Sequence, residues 1–125
     1  SEAVSLAQSV AEAPQDDVIA VLLEGVSDRD DLLAAMDAIR ARHEHAACLL
    51  LGTNPEAGKV VMVARVPSSL IDRGLKAGDW VKHVAGLCGG GGGGRPDMAQ
   101  AGGSRPDQAS EAVEAARSWA RETLA

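Results

Sequence analysis

Cys88-Gly89-Gly90-Gly91-Gly92-Gly93-Gly94-Arg95-Pro96-Asp97-Met98-Ala99-Gln100-Ala101-Gly102-Gly103 is the stretch on which the reading of this chain turns. Glycine loses more backbone entropy on folding than any other residue, so six in a row resist ordering. A flexible linker is the bland interpretation of such a tract. The residues after the glycines argue against it, because Arg95-Pro96-Asp97-Met98-Ala99-Gln100-Ala101 is neither low in complexity nor linker-like. A domain that retains this run uses its bare backbone, since successive N–H groups can approach a ligand and form a concave nest for anions. The expectation is an anion-accepting loop over Gly89, Gly90, Gly91, Gly92, Gly93 and Gly94, with Arg95 as a phosphate fork and Gln100 as a neutral hydrogen-bonding head.

The residues before the run limit its chemistry. Gly89 and Gly94 have the spacing of a nucleotide-binding P-loop, but Arg95-Pro96 stands where Lys and Ser or Thr are needed. Such a loop also follows a strand and opens a helix. Here Trp80, Val81, Val84 and Leu87 form an apolar helical stripe that runs into the glycines, so a helix presents its carbonyl end. The dinucleotide fingerprint fails for the same reason. Lys82 and His83 lie on that helix and join the candidate site. No Ser-His-Asp, Cys-His or paired-carboxylate arrangement emerges from spacing, and no metal site is expected. His43 and His45 sit at a helix end, where solvation is the simpler role.

Working outward, Val18–Leu23 is a continuous apolar run that predicts a strand buried on both faces. Ser27 with Asp30 opens a helix as a capping-box variant, followed by Leu32, Leu33, Met36 and Ile39 at helical spacing. Acids Asp28, Asp30 and Asp31 in its first turn and Arg40 and Arg42 near its end suit the helix dipole. Ala46–Leu51 and Lys59–Val66 predict two strands paired across a Gly52-Thr53-Asn54-Pro55 turn. A short turn begins at Ser68 or Ser69, and Asp79 is the expected cap of the helix that bears Trp80. Pro106 opens a last helix with a small-residue face over Ala109, Ala112, Val113, Ala116, Trp119, Ala120 and Leu124. Asp97–Ala101 is a candidate further strand. The elements give an α/β (α+β) chain: a single compact domain over 14–125, with a mixed β-sheet flanked by helices. Residues 1–13 read as the remnant of a preceding helical arm or a linker.

Composition narrows the partners. The 125 residues carry a net charge of −6, yet Arg73–Arg105 holds five cations against two acids. A local basic surface around the glycines can meet phosphates while the rest repels them. The chain has no Phe and no Tyr, and two Trp. That removes the aromatic platform on which single-stranded nucleic-acid readers stack bases. Trp80 and Trp119 read as core or partner-facing. Cys48 and Cys88 fall in apolar patterns and read as reduced, packed thiols. No membrane span or leader is apparent, and a cytoplasmic setting is the expectation.

Leu75-Lys76-Ala77-Gly78-Asp79-Trp80-Val81-Lys82-His83-Val84-Ala85-Gly86, followed by the glycine stretch, closely resembles the C-terminal domain of bacterial alanyl-tRNA synthetases. The hallmark is the tract through Arg95-Pro96-Asp97-Met98-Ala99-Gln100-Ala101-Gly102-Gly103, and the similarity covers about Val18–Leu124. The resemblance implies a DHH-associated fold and a noncatalytic module that binds the elbow of tRNA. It implies that the module helps aminoacylation and editing domains act on one tRNA. Carried over residue by residue, the implied contacts are Gly89 to Gly94, Arg95, Asp97, Gln100, Gly102 and Gly103, beside Lys82 and His83. No cofactor is implied for this fragment; ATP, Mg and Zn belong to other domains of such a synthetase. Partners implied are tRNA (alanine-specific), the other domains of the same chain, and a second copy through a helical arm of which 1–13 is too short to be the whole. Less similar are the oligonucleotide-binding domain of a DHH phosphoesterase, which usually places His after its glycines, and a free-standing editing hydrolase. A purely structural inter-domain module is the alternative from another class.

Overall fold

In the computed structural model, residues 17–125 are described; the expected arm remnant at 1–13 lies outside them. Strand β1 (Val18–Leu23) is followed by helix α1 (Arg29–Arg42), strand β2 (Ala47–Asn54) and strand β3 (Lys59–Arg65). A short helix α2 (Ser68–Ile71) leads to α3 (Ala77–Leu87), then β4 (Gly91–Gly94) and β5 (Met98–Gly103). A 3₁₀ turn at Pro106–Gln108 enters the last helix, α4 (Ala109–Leu124). The five strands form one sheet in the order β1-β2-β3-β5-β4. β1 and β2 are parallel, as the helical crossover between them requires. The β2–β3, β3–β5 and β4–β5 pairs are antiparallel. This is the expected mixed sheet flanked by helices, with the hairpin β2–β3 and the strand after Asp97 both present.

Alternation along the strands sorts the core into two layers. Ala47, Leu49 and Leu51 of β2 and Val60, Met62 and Ala64 of β3 pack with α3 and α4. Ile19, Val21, Cys48, Leu50 and Val63 point the other way, onto Leu32, Ala35, Met36 and Ile39 of α1. Both faces of β1 and β2 are therefore covered, which is why those runs are apolar without interruption. Helix α1 reaches β2 and β3 but goes no further across the sheet, whereas α3 lies over β3, β5 and β4. Among the described residues, the same sheet is thus covered on the α3 side and open on the α1 side where β5 and β4 continue.

Two helix starts differ from the sequence reading. Asp28, not Ser27, is the N-cap of α1, its carboxylate accepting from the Asp30 N–H at 2.8 Å. The chain enters α3 through Lys76, with no side-chain cap, and Asp79 sits in the first turn instead. The Ala77 N–H is taken by the Pro96 carbonyl at 2.8 Å, so tertiary structure satisfies a helix-start donor that capping would otherwise serve.

Trp80 is fully buried and its Nε1 donates to the Ala116 carbonyl at 3.0 Å, joining α3 to α4. This closes the option of a partner-facing Trp80. Trp80→Phe leaves a void between the two helices and removes that bond. We expect a loss of about 1–3 kcal/mol, read as a lower urea midpoint at unchanged slope.

Candidate nucleic-acid interface

The glycine run is not a loop. Helix α3 ends at Cys88, and Gly89 takes φ +71°, the left-handed conformation that glycine tolerates. The Gly90 N–H returns to the Ala85 carbonyl at 3.0 Å, the closing bond of a Schellman turn. Gly91–Gly94 then runs as edge strand β4 against β5, pairing Gly91 with Gly102, Gly92 with Ala101, Gly93 with Gln100 and Gly94 with Ala99. An anion nest needs alternating helical and left-handed residues that converge their N–H groups. An extended strand points them alternately to the two sides, so the expected nest is replaced by a flat backbone surface.

Steric room divides these glycines by period two. A Cβ on Gly90 falls 1.9 Å from the Gly102 oxygen, one on Gly92 falls 2.4 Å from the Ala101 Cβ, and one on Gly94 falls 2.8 Å from the Ala99 Cα. Neighbouring positions share this crowding: Gly78 of α3 would meet the Gly94 oxygen at 2.9 Å, and Gly103 the Cys88 oxygen at 2.5 Å. Gly91 and Gly93 differ, since among the described residues a Cβ there meets nothing within 4 Å. Neither has a positive φ. Packing therefore explains three of the glycines and leaves Gly91 and Gly93 as bare backbone on an open surface. An internal strand glycine weakens the strand, and one recurrent reason to keep it is the close approach of a ligand or another backbone.

Gly91 and Gly93 line a groove of about 580 Å³ on the α1 side of the sheet. Gln100 and Gly102 of β5 line it as well, together with Arg29 and Lys59. A second groove of about 400 Å³ lies at the other end of the same face, lined by Arg40, Arg65, Arg95 and Asp97 among others. Arg95 and Asp97 form an exposed ion pair at 3.3 Å. A hollow of about 280 Å³ between Asp17, Arg73, Arg121 and Leu124 contains no residue of the glycine tract.

A scan against family models matches the DHHA1 domain over residues 15–122. The chain belongs to the DHHA1 domain family. It is 44% identical over 112 residues to an alanine–tRNA ligase of Bacillus anthracis, covering 90% of this chain and 12% of that protein. A chloroplastic/mitochondrial alanine–tRNA ligase of Populus trichocarpa is 42% identical over 101 residues, 79% of this chain and 10% of its own length. The chain thus spans about a tenth of the length of these curated relatives. Among solved structures, the C-Ala domain of Aquifex aeolicus alanyl-tRNA synthetase superimposes with a TM-score of 0.70 at 26% identity, over 86% of this chain and 91% of that one. The similarity implied by the glycine tract therefore extends across nearly the whole DHHA1 domain.

Within this DHHA1 domain the residues singled out by sequence divide into three groups. Gly91, Gly93, Gln100 and Gly102 share the open groove, and Arg95 and Asp97 line the adjoining one. Gly89, Gly90 and Gly94 serve the turn and the tight α3–β4–β5 packing, and Gly92 and Gly103 both pack and border the groove. Lys82 and His83 ride on α3, across the sheet from Gln100. His83 stacks on Trp119 of α4, with centroids 5.2 Å apart and planes inclined by 17°. Arg29, Arg40, Lys59 and Arg65 were missed because they precede the tract by dozens of residues. For Lys59 and Arg65 one signal existed: they share the parity of Val61 and Val63 on β3, hence one sheet face.

The thiols are inert in this setting. Both Cys48 and Cys88 are free and buried. Burial beneath α1 pushes the Cys48 thiol from its ordinary 9.0 up to about 12, with Arg65 acting weakly the other way. Burial raises Cys88 too, helped by Asp107. Among the described residues, no cluster of His, Cys, Asp or Glu could hold a metal ion, and no helix is long and apolar enough to cross a membrane.

This geometry has measurable consequences for stability. Gly92→Ala is expected to destabilise by about 1–3 kcal/mol through overpacking against Ala101. Gly91→Ala is expected to be neutral or to stabilise by up to about 1 kcal/mol, because it restricts the unfolded chain at an open position. Urea titration of the pair measures both. The raised Cys48 pKa means the folded state keeps a proton that the unfolded state loses above pH 9, so stability falls as pH rises from 9 towards 12. Cys48→Ala should flatten that slope by up to about 1.4 kcal/mol per pH unit, measured by denaturant titration across the window.

Proposed function

We propose that this chain is the noncatalytic tRNA-binding C-terminal module of an alanine–tRNA ligase in the cytoplasm. It docks on the elbow of tRNA and helps the aminoacylation and editing domains act on the same molecule. The observation that carries the reading is the bareness of Gly91 and Gly93, which neither packing nor backbone conformation requires. A folded RNA is recognised through its shape, phosphates and 2′-hydroxyls, which calls for a close polar backbone and a few cations. Gly91, Gly93, Gly102 and Gln100 supply that backbone and a neutral head, with Arg95 beside them. A base-stacking platform is not needed, in keeping with a chain that has no Phe and no Tyr. The similarity to alanine–tRNA ligases supports tRNA and the remaining synthetase domains as partners. On this reading Lys82 and His83 take no part in the contact, despite their nearness to the glycines in sequence, because α3 holds them on the opposite side of the sheet.

The test is filter binding of this chain to an alanine tRNA transcript across a salt series. Gly91→Val and Gly93→Val should leave thermal stability intact, since β-branched residues suit an open strand position. Each should weaken binding by roughly tenfold, equivalent to about 1.4 kcal/mol of lost approach. Arg95→Ala should lower affinity and reduce the salt slope by about 0.9 for one phosphate contact. Undiminished tRNA affinity in the folded valine variants, or no binding by the wild type at low salt, would overturn the reading.

A further inference from the structure

Arg40, Arg65 and Arg95 come from helix α1, the end of strand β3 and the turn between β4 and β5. Separated by 25 and 30 residues in sequence, they line one groove of about 400 Å³ on the α1 side of the sheet. Among the described residues, the ion pair made within this cluster is Arg95–Asp97. Arg65 is half-buried, and burial followed by the charge of Arg40 disfavours its protonated form, while Asp37 and Asp97 oppose that effect. The Arg65 guanidinium, repelled by that of Arg40 at a partly desolvated position, is relieved by an anion that accepts from both, and Arg95 lines the same groove.

The groove also continues the open glycine face. Met98, Gln100 and Gly102 share the parity of β5 that faces away from α3, and they lead from the arginine cleft to the groove that Arg29 and Lys59 help to line. Four residue-to-residue steps of strand lead from Met98 to Gly102, about 13 Å at the usual rise. The two linings together hold five cations, Arg29, Arg40, Lys59, Arg65 and Arg95, against the acids Asp37 and Asp97. Asp28, Asp30 and Asp31 flank Arg29 at the start of α1, with the Asp28 carboxylate engaged by the Asp30 N–H. On a chain whose net charge is −6, this face is set apart by its positive lining.

We propose that the Arg40–Arg65–Arg95 cleft binds a backbone phosphate of RNA, so that the nucleic acid crosses the α1 side of the β3–β5–β4 strip instead of the α3 side. This rests on the tRNA-binding reading and assigns it a direction and a second contact. The occupant is a phosphodiester because its oxygens accept from several guanidiniums together, and the neighbouring bare strand admits a backbone, not a bulky side chain.

The experiment measures binding of an unmodified tRNA transcript to the 125-residue chain at 50–200 mM salt, with thermal melts to confirm folding. Arg40→Gln and Arg65→Gln should each weaken binding several-fold and reduce the salt slope by about 0.9. Arg40 is exposed, so its variant tests the cleft even if Arg65→Gln fails to fold. Lys82→Gln, on α3, should leave affinity unchanged within twofold. Wild-type binding that survives the arginine substitutions, with loss in Lys82→Gln, overturns this inference while leaving the proposed function standing. No wild-type binding at low salt removes both. Poly-glutamate that binds more tightly than the transcript, and is released by the same arginine substitutions, would assign the cleft to an acidic protein segment and overturn the phosphate assignment.

Discussion

The close approach of three backbones, those of α3, β4 and β5, is the constraint on which the rest of the molecule depends. The chain leaves α3, turns at Gly89 and runs back along β4 beneath the helix it has just completed. Contact at that distance leaves no volume for a Cβ at Gly78, Gly90, Gly92, Gly94 or Gly103. Glycine is entropically costly in a strand, so the arrangement persists because its neighbours over-determine it. The carbonyl of Cys88 accepts from the N–H groups of both Ser104 and Arg105, locking the end of β5 to the end of α3. The Arg95 N–H bonds the Met98 carbonyl across the tip of the hairpin. Trp80, buried against Ala116, fixes the helix from its other flank.

One consequence is an unequal sheet. On one side α3 and α4 cover the strands, and Arg117 of α4 donates to the Ala20 carbonyl of β1. On the other side α1 stops over β2 and β3, so β5 and β4 present polar backbone to solvent. Strand β4 is also the edge of the sheet, and an exposed edge would ordinarily invite pairing or aggregation, which charged residues discourage. On the proposed reading the cations of this face complement phosphate. The absence of side chains at Gly91 and Gly93 then reads as clearance for a ligand, in contrast with the packing glycines between and beside them.

The fold was largely legible from periodicity. Unbroken apolar runs at Val18–Leu23 and Ala46–Leu51 marked strands covered on both faces, and the helical stripes of α1, α3 and α4 marked what covers them. The glycine tract was recognisable as the motif shared with the family but misread in form. Its residues carry no hydrophobic alternation, so no local pattern distinguishes an edge strand from a loop. Pairing with Ala99, Gln100, Ala101 and Gly102 is what holds it extended. Likewise Lys82 and His83 are near the tract in sequence yet face away from its open side.

By itself, the sequence determined the element types outside the glycine tract, the apolar stripes of the helices and the family, because each of these rests on local spacing or on an uninterrupted motif. Only the tertiary structure decided which glycines are crowded and which are open, since that depends on strands and a helix meeting from different parts of the chain. It also decided that Arg29, Arg40, Lys59 and Arg65 share a face with Arg95. Charges scattered along a chain become a site only when a sheet fixes their side and their spacing, and side and spacing are properties of strand register.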